Sequence, residues 1–439
     1  MTSVVPFVIY VGIFVGSYLV VSRIVRHVTR TDFTALKTVT FGDESAVVSD
    51  RVASVISVLT LFLLWGMFTG SALVPSFLHA PGPYLGDGRF DYVVESADGA
   101  RDSASVLWRV EPVDGEVQVP EVEPGEGAAK NDTLTIREYR SGQLAWDRND
   151  EFSRKDGARI VEIDGQKVDF DPQRRGEGDG PAQVKPVVRV PNATVTLSDK
   201  GALIITPYQG WQMEPIWLPP PEDVARRFVE IARQGYRGST LAEHVGYSLM
   251  RVIVGFFFGA LVGIPLGYAM GLSNWFRGWF DPIVEFMRPV PPLALIPLVI
   301  IWAGIGETGK IVLLFLAALW IMAIAARSGV SGVRISKVHA AYSLGASKGQ
   351  IMRFVIVPNS LPEIFTGARV AMGVCWGTVV AAELVAAEKG VGMMIMVASK
   401  FQNTDIVIMG IVLIGIIGFG IDMLMRWAER VLVPWKGRG

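Results

Sequence analysis

Charge is scarce in this 439-residue chain. Lys, Arg, Asp and Glu together make up 19% of it, against about 25% in an ordinary soluble domain, and the mean hydropathy is +0.38. The deficit is uneven along the chain, which points to membrane spans joined to a polar domain. Cysteine is nearly missing. The single Cys375 sits in an apolar run, and one cysteine excludes an intrachain disulfide. The four histidines (27, 79, 244 and 339) stand singly, which argues against a Cys/His metal site. A formal net charge of -1 gives no basis for nucleic-acid binding. No nucleophile–base pair or metal cluster stands out, so a membrane enzyme has nothing to work with.

One stretch imitates a nucleotide site. GIGETGK (304–310) has the GxxxxGK form, but a phosphate-binding loop needs Ser or Thr next, to hold Mg²⁺, and Ile311 follows. It also joins two apolar runs with no strand before it. The chain is expected to carry no catalytic residue, no cofactor or metal site, and no motor of its own.

What the chain does have is apolar runs. A spanning helix needs about 20 mostly apolar residues. Residues 1–22, 52–86 and 252–276 carry no charge, and shorter charge-free runs follow at 289–306, 311–326, 370–382 and 406–421. The shorter ones become long enough if a terminal charge snorkels to the interface. Seven spans are expected. Residues 1–22 read as a retained helix rather than a signal peptide, because the basic residues (Arg23, Arg26, Arg30) follow the run instead of preceding it. Sixteen Lys and Arg fall in segments 23–51, 273–288, 327–362 and the tail from 426, against three (Lys310, Lys389, Lys400) in the alternate short loops. The sixteen mark the cytoplasm. The N-terminus is then outside, the C-terminus inside, and residues 339–364 face the cytoplasm.

Between the second and third spans lies a polar insert. Residues 77–210 hold 24 Asp and Glu and 16 Lys and Arg, a net of -8. ARIVEIDGQKVDF (158–170) carries an Asp164-Gly165 step between alternating runs, a strong hairpin signal. The stretches 133–139, 185–190, 193–197 and 202–206 read as further short strands, and 111–129 and 171–184 as loops. A β-rich extracytoplasmic domain is expected, serving as a scaffold or as a docking or gating element for a soluble partner. WLPPPEDVARRFVEIARQG (217–235) then reads as a short interfacial amphipathic helix, with Val224, Phe228 and Ile231 on one face.

Several apolar-region features have both a bland and a sharper reading. Gly255, Gly259, Gly263, Gly267 and Gly271 recur every fourth residue, a ridge for close helix packing inside the chain or at a dimer seam. Glu383 and Arg369 are ionisable residues in one span, about 21 Å apart along a helix and so too far to pair. Glu383 is either a pathway residue or a partner to a neighbouring helix, and Arg369 reads as a snorkelling anchor. EFMRPVPPLALIPL (285–298) enters a span with four prolines, which free carbonyls and kink helices. Arg288, Pro292, Trp302, Trp376 and Glu383 are the candidate translocation-pathway residues, although an aromatic in a span is more often packing. HAAYSLGASKGQIMRF (339–354) gives a short small-faced helix that Gly345 breaks. Pro358 and Pro362 then return the chain to the bilayer. Such a segment is either a polar loop or a peg for a groove on another protein.

The same segment resembles the cytoplasmic loop of permease subunits in binding-protein-dependent ABC importers. That loop has the form EAA, three residues, G, nine residues, I-x-L-P. Ala340, Ala341 and Gly345 match at the right spacing, Val355 to Pro358 match the end conservatively, and His339 replaces the Glu. LPPP (218–221), SLMRVIVGF (248–256), FMRPVPPLALIPL (286–298), WAGIGETGK (302–310), SLGAS (343–347), VPNSLPEIFTGAR (357–369) and AAELVAAEKGVGMMI (381–395) look like the taurine, sulfonate and nitrate branch, taurine-type permeases most of all. The resemblance covers about residues 217–437 and leaves 1–216 unmatched.

The resemblance implies an all-α membrane protein with a type I ABC importer core. By the apolar runs and strand patterning above, residues 1–76 would hold two helices and a basic cytoplasmic loop and 77–216 the β-rich insert, followed by the interfacial helix at 217–238 and five core spans at 239–439 with the coupling loop 327–362. The resemblance implies that His339, Ala340, Ala341, Leu344, Gly345, Ala346, Ser347 and Pro358 couple to an ATPase. It further implies a second permease copy, two ATPase subunits that bring ATP and Mg, an extracytoplasmic binding protein and an inner-membrane location amid lipid. The implied cargo is taurine or another small sulfonate. The rival class is a membrane sensor whose β domain binds a ligand and whose loop signals inside.

Overall fold

The computed structural model describes residues 12, 15–24, 51–113, 115, 119–171 and 185–435. Most of the expected first span, most of the basic segment 23–51 and most of the loop 171–184 lie outside the described residues. The chain divides into two compact units, Met1–Pro215 and Ile216–Gly439.

The first unit holds a short apolar helix α1 (Val15–Ile24), a membrane-length helix α2 (Arg51–Thr69) and a β domain. The expected run 52–86 is helical only to Thr69. Gly70, at φ +63°, ends it, and a turn closed by Ser71 N–H to Gly66 O and Ala80 N–H to Met67 O follows. Nine strands are described: β1 (Gly86–Glu95), β2 (Arg101–Glu111), β3 (Asp132–Arg137), β4 (Gly142–Leu144), β5 (Arg159–Ile163), β6 (Gln166–Lys167), β7 (Val187–Val190), β8 (Ala193–Leu197) and β9 (Leu203–Pro207). They form a five-stranded sheet, β3-β2-β1-β5-β6, and a four-stranded sheet, β4-β9-β8-β7. Alternate residues of both sheets enter one apolar core, with Trp108, Trp146, Val195 and Leu203 fully buried. The expected hairpin at Asp164-Gly165 is there, both residues at positive φ as a two-residue primed turn requires. Gly88 faces Trp108 across β1 and β2, where a Cβ would run into the indole. At one edge of this core the Tyr92 hydroxyl donates to Asp132 at 2.9 Å, and burial pushes the Asp132 carboxyl up to about 6.

The second unit is helical: α3 (Pro221–Gln234), α4 (Leu241–Leu272), α5 (Asn274–Met287), α6 (Ile296–Ala303), α7 (Glu307–Ser331), α8 (Ile335–Ser343), α9 (Lys348–Ile351), α10 (Val357–Ala386), α11 (Val391–Lys400) and α12 (Thr404–Leu432). Pro221 opens α3 at a position where a missing N–H costs nothing, with Glu222 and Asp223 in its first turn. Val224 and Ile231 are buried as expected, but Phe228 is exposed. Thr240 and Glu243 form a capping box that starts α4.

The glycine ridge of α4 is filled from within the chain. A Cβ on Gly255 would meet Leu314, on Gly259 Ala318, on Gly263 Met322, on Gly267 Ala326 and on Gly271 Val330. The two number series rise together, so α4 and α7 run parallel along a close seam. The ridge therefore serves intrachain packing and is not available as a dimer seam. Helix α10 runs against both: Gly367 lies on Ala325, and Cys375 Sγ donates to Leu314 O.

Parallel α4 and α7 oblige the chain between them to return from one end of the bundle to the other. The expected span 289–306 does this only in part. Prolines 289, 291 and 292 unwind it, a single 3-10 turn covers Pro292–Leu295, and α6 has eight residues, bent 95° from α5. Four helices of this unit are long and apolar enough to cross a membrane, and α5 with α6 makes a fifth if the bent pair is one broken span.

Candidate functional site

Two polar constellations sit at opposite ends of the helical bundle, and a cavity lies between them. The first is the connection from α7 to α10. Helix α8 ends in a Schellman motif, in which the Gly345 N–H donates to Tyr342 O at 2.9 Å and the Ala346 N–H to Ala341 O at 3.1 Å. The motif needs a left-handed residue, and Gly345 supplies it at φ +80°. This explains the spacing of the small residues: Ala341 and Ala346 are the two positions the motif brings together, and both are half-buried amid exposed neighbours. Ser347 then caps α9 in a box with Gln350. His339, Ala340, Tyr342, Leu344 and Ser347 are exposed, Leu344 at 89%. From 327 to 362 there are five basic residues and no acid. The Lys337 ammonium donates to Asn359 Oδ1 at 2.6 Å and ties α8 back to α10.

Pro358 stands elsewhere than expected. It does not return a loop to the bilayer but is the second residue of α10, inside a helix continuous from Lys348 to Val385. A π-helical turn, Met352–Ile356, precedes it, with the Val357 N–H bonding to Met352 O. A wider turn absorbs the proline ring and its missing N–H, which would otherwise break an α-helix.

The second constellation is an ion cluster, buried at Arg251 and Glu383 and half exposed at Glu307. Arg251 of α4 is 1% exposed. Its guanidinium donates to Glu383 Oε1 of α10 at 2.5 Å, to both Glu307 carboxylate oxygens of α7 at 2.6 Å, and to Lys389 O at 2.8 Å. Glu383 also accepts from Ser248 Oγ (2.8 Å) and from the Gly392 N–H (2.9 Å). Lys310 donates to Glu307 at 3.0 Å. The Gly390 N–H donates to His244 Nδ1 at 3.1 Å, which leaves the Nε2 proton for Tyr236 O. The lysine of the P-loop look-alike is thus spent on a carboxylate. Glu383 pairs with a neighbouring helix and also lines, with Glu307 and Lys310, a cavity of about 470 Å³. Sequence reasoning missed Arg251 because it abuts the charge-free run 252–276 and looks like a boundary.

The remaining pathway candidates separate. Trp376 is 6% exposed, its indole N–H donating to Ile414 O at 3.1 Å. It packs α10 on α12. Trp302 is 66% exposed near the end of α6. Arg369 is not a lone anchor, for it pairs with Asp422 at 3.2 Å and lies 3.7 Å from Glu429, both on α12. Arg288 and Pro292 do come together, lining a cavity of about 210 Å³ with Leu295, Leu316, Ile321 and Val374.

Comparison with known proteins assigns this arrangement. Residues 255–433 match the family "Binding-protein-dependent transport system inner membrane component". The chain is 48% identical over 226 residues to the taurine transport system permease protein TauC of Escherichia coli, covering 51% of this chain and 82% of that protein. It is 36% identical to the putative aliphatic sulfonates transport permease protein SsuC of the same organism, over 52% of this chain and 84% of that one. It is 30% identical to the nitrate import permease protein NrtB of Synechococcus elongatus, over 43% and 68%. These relatives are transport components, and the chain is likewise not itself an enzyme. The chain belongs to the inner-membrane permease family of binding-protein-dependent ABC importers, in its taurine, sulfonate and nitrate branch.

Proposed function

We propose that the chain forms the translocation pathway of an ATP-driven importer for taurine or another small sulfonate, and that residues 339–351 seat in an ATPase subunit. The observation that carries this reading is the α8–Gly345–α9 peg. It is capped at both joints, tied to α10 through Lys337, carries Lys337 and Lys348 and no acid, and presents Leu344 and Tyr342 to solvent with nothing packed on them among the described residues. An exposed apolar tip on a basic base suits a groove in an acidic-rimmed partner. In this reading two copies form the pore, and two ATPase subunits carry ATP and Mg. A soluble protein delivers cargo on the side of the β domain, which is extracytoplasmic. ATP-driven approach of the ATPases displaces the pegs, and the continuous helix from Lys348 passes that movement to the bundle. The sulfonate reading rests on the named relatives TauC and SsuC.

The test is Gly345→Pro in the assembled complex. Proline fixes φ near -65°, so the left-handed joint cannot form. The expected result is loss of taurine uptake and of cargo-stimulated ATP hydrolysis, with both ATPase subunits still co-purifying or released. Full uptake in an assembled complex overturns the coupling role.

A further inference from the structure

We propose that the cavity at the break between α5 and α6 is a subsite for a small organic anion, with Arg288 holding the charged head and the wall of α7 and α10 taking a short apolar chain. This rests on the reading of the chain as a sulfonate pathway and names a place along it.

The argument starts from the backbone. Residues 288–292 hold three prolines, and the helix is unwound there. The cavity walls come from Leu316, Ala317, Ile321 and Ile324 of α7 and from Val374 of α10. Helix α7 runs from Glu307 to Ser331, so Leu316 to Ile324 lie in its middle part, and Val374 lies in the second half of the helix continuous from Lys348 to Val385. Non-helical backbone at mid-membrane depth is tolerated where it is buried in protein or lines a cavity, and discontinuous helices build the solute sites of many transporters. The cavity holds about 210 Å³, below the range of drug-sized sites and suited to a solute of a few heavy atoms.

Charge then selects the ligand. Among the described residues, Arg288 is the one ionisable residue lining the cavity. Among the described residues its partner is Glu285 at 3.8 Å, beyond hydrogen-bond reach. Glu285 is itself engaged by Arg327 at 2.7 Å, and Arg327 also pairs with Asp281. The Arg288 side chain is 67% exposed at the mouth of the cavity, and its guanidinium keeps its donor fork for another acceptor. A planar fork matches an oxyanion such as a sulfonate or carboxylate with two parallel bonds. The walls offer no carboxylate to hold an ammonium group, so the head group is read by Arg288 and the tail by shape. That favours simple alkanesulfonates at least as much as a zwitterion.

The experiment uses the full chain in lipid nanodiscs and 2,2,2-trifluoroethanesulfonate as a fluorine NMR probe. Wild type is expected to broaden the probe line in a saturable way. Arg288→Gln should weaken binding at least tenfold, Arg288→Lys should retain part of it, and Val374→Phe should abolish it by filling the cavity while leaving the charge in place. No saturable broadening with wild type, or unchanged broadening with both Arg288→Gln and Val374→Phe, overturns the proposal. Uptake by the reconstituted complex is scored separately. Probe binding without sulfonate import sinks the importer reading and leaves the subsite standing, whereas import without probe binding sinks the subsite alone.

Discussion

The residue that organises one end of the helical bundle is Arg251. One buried guanidinium takes carboxylates from α7 and α10 and a backbone carbonyl from the loop before α11, so four segments share a single charge. Burying such a cluster gives little net stability, but removing one member strands the others, a loss of about 3–5 kcal/mol. Glu383→Ala is therefore expected to unfold the core at clearly lower temperature, measured by thermal aggregation of the detergent-purified chain. Glu383→Gln keeps the shape and an acceptor for Ser248 and Gly392 and should fall in between. Equal midpoints for wild type and Glu383→Ala would remove the structural role assigned to the cluster. The sequence shows half of this arrangement. Glu383 is conspicuous as an acid in an apolar run, and both the functional and structural readings of it are legible. Its partner is not, because pairing depends on which helices lie side by side. Arg251 precedes Glu383 by 132 positions.

At the scale of the element, the α4–α7 seam shows what periodicity can and cannot say. A glycine every fourth residue announces a close-packed helix face, and nothing in the pattern names the helix that fills it. The structure supplies α7, in parallel and in constant register. The seam fits because glycine leaves no Cβ: one on Gly259 would lie 2.5 Å from the Ala318 Cβ and 2.8 Å from Phe315 O. Overpacking of this kind costs about 1–3 kcal/mol. Gly259→Ala should lower the unfolding midpoint, and Gly415→Ala in α12, where an added Cβ meets nothing within 4 Å, should leave it unchanged or raise it. Identical behaviour of the two variants would mean that the seam does not bear on stability. The strands of the β domain were legible where turns punctuate them, as at Asp164-Gly165. The two longest, β1 and β2, were not, since β1 follows directly on a charge-free run read as a span and β2 leads into a loop rich in Gly, Pro and acid. The opposite error occurred at 289–306, where an apolar run reads as a span although its prolines prevent a continuous helix.

At the scale of the whole molecule, connectivity bears on sidedness. Parallel α4 and α7, with α5 and α6 returning between them and α10 antiparallel to both, put the α8–α9 peg and the Arg251 cluster at opposite ends of the helical unit. Charge counting puts the peg in the cytoplasm, and the proposed orientation puts the β domain outside. The chain offers a clean means of checking this, because its one cysteine, Cys375, is fully buried and gives little background labelling. Leu344→Cys and Val187→Cys place single thiols at side chains that are 89% and 64% exposed. A membrane-impermeant maleimide added to intact cells is expected to modify Val187→Cys and to spare Leu344→Cys, and inside-out vesicles should reverse the pattern. Adding the ATPase subunits to those vesicles should then protect Leu344→Cys, since the peg would be seated. Labelling of Leu344→Cys in intact cells would put the peg outside and remove the coupling role of residues 339–351, whereas correct sidedness without protection would leave the orientation intact and move the ATPase contact elsewhere.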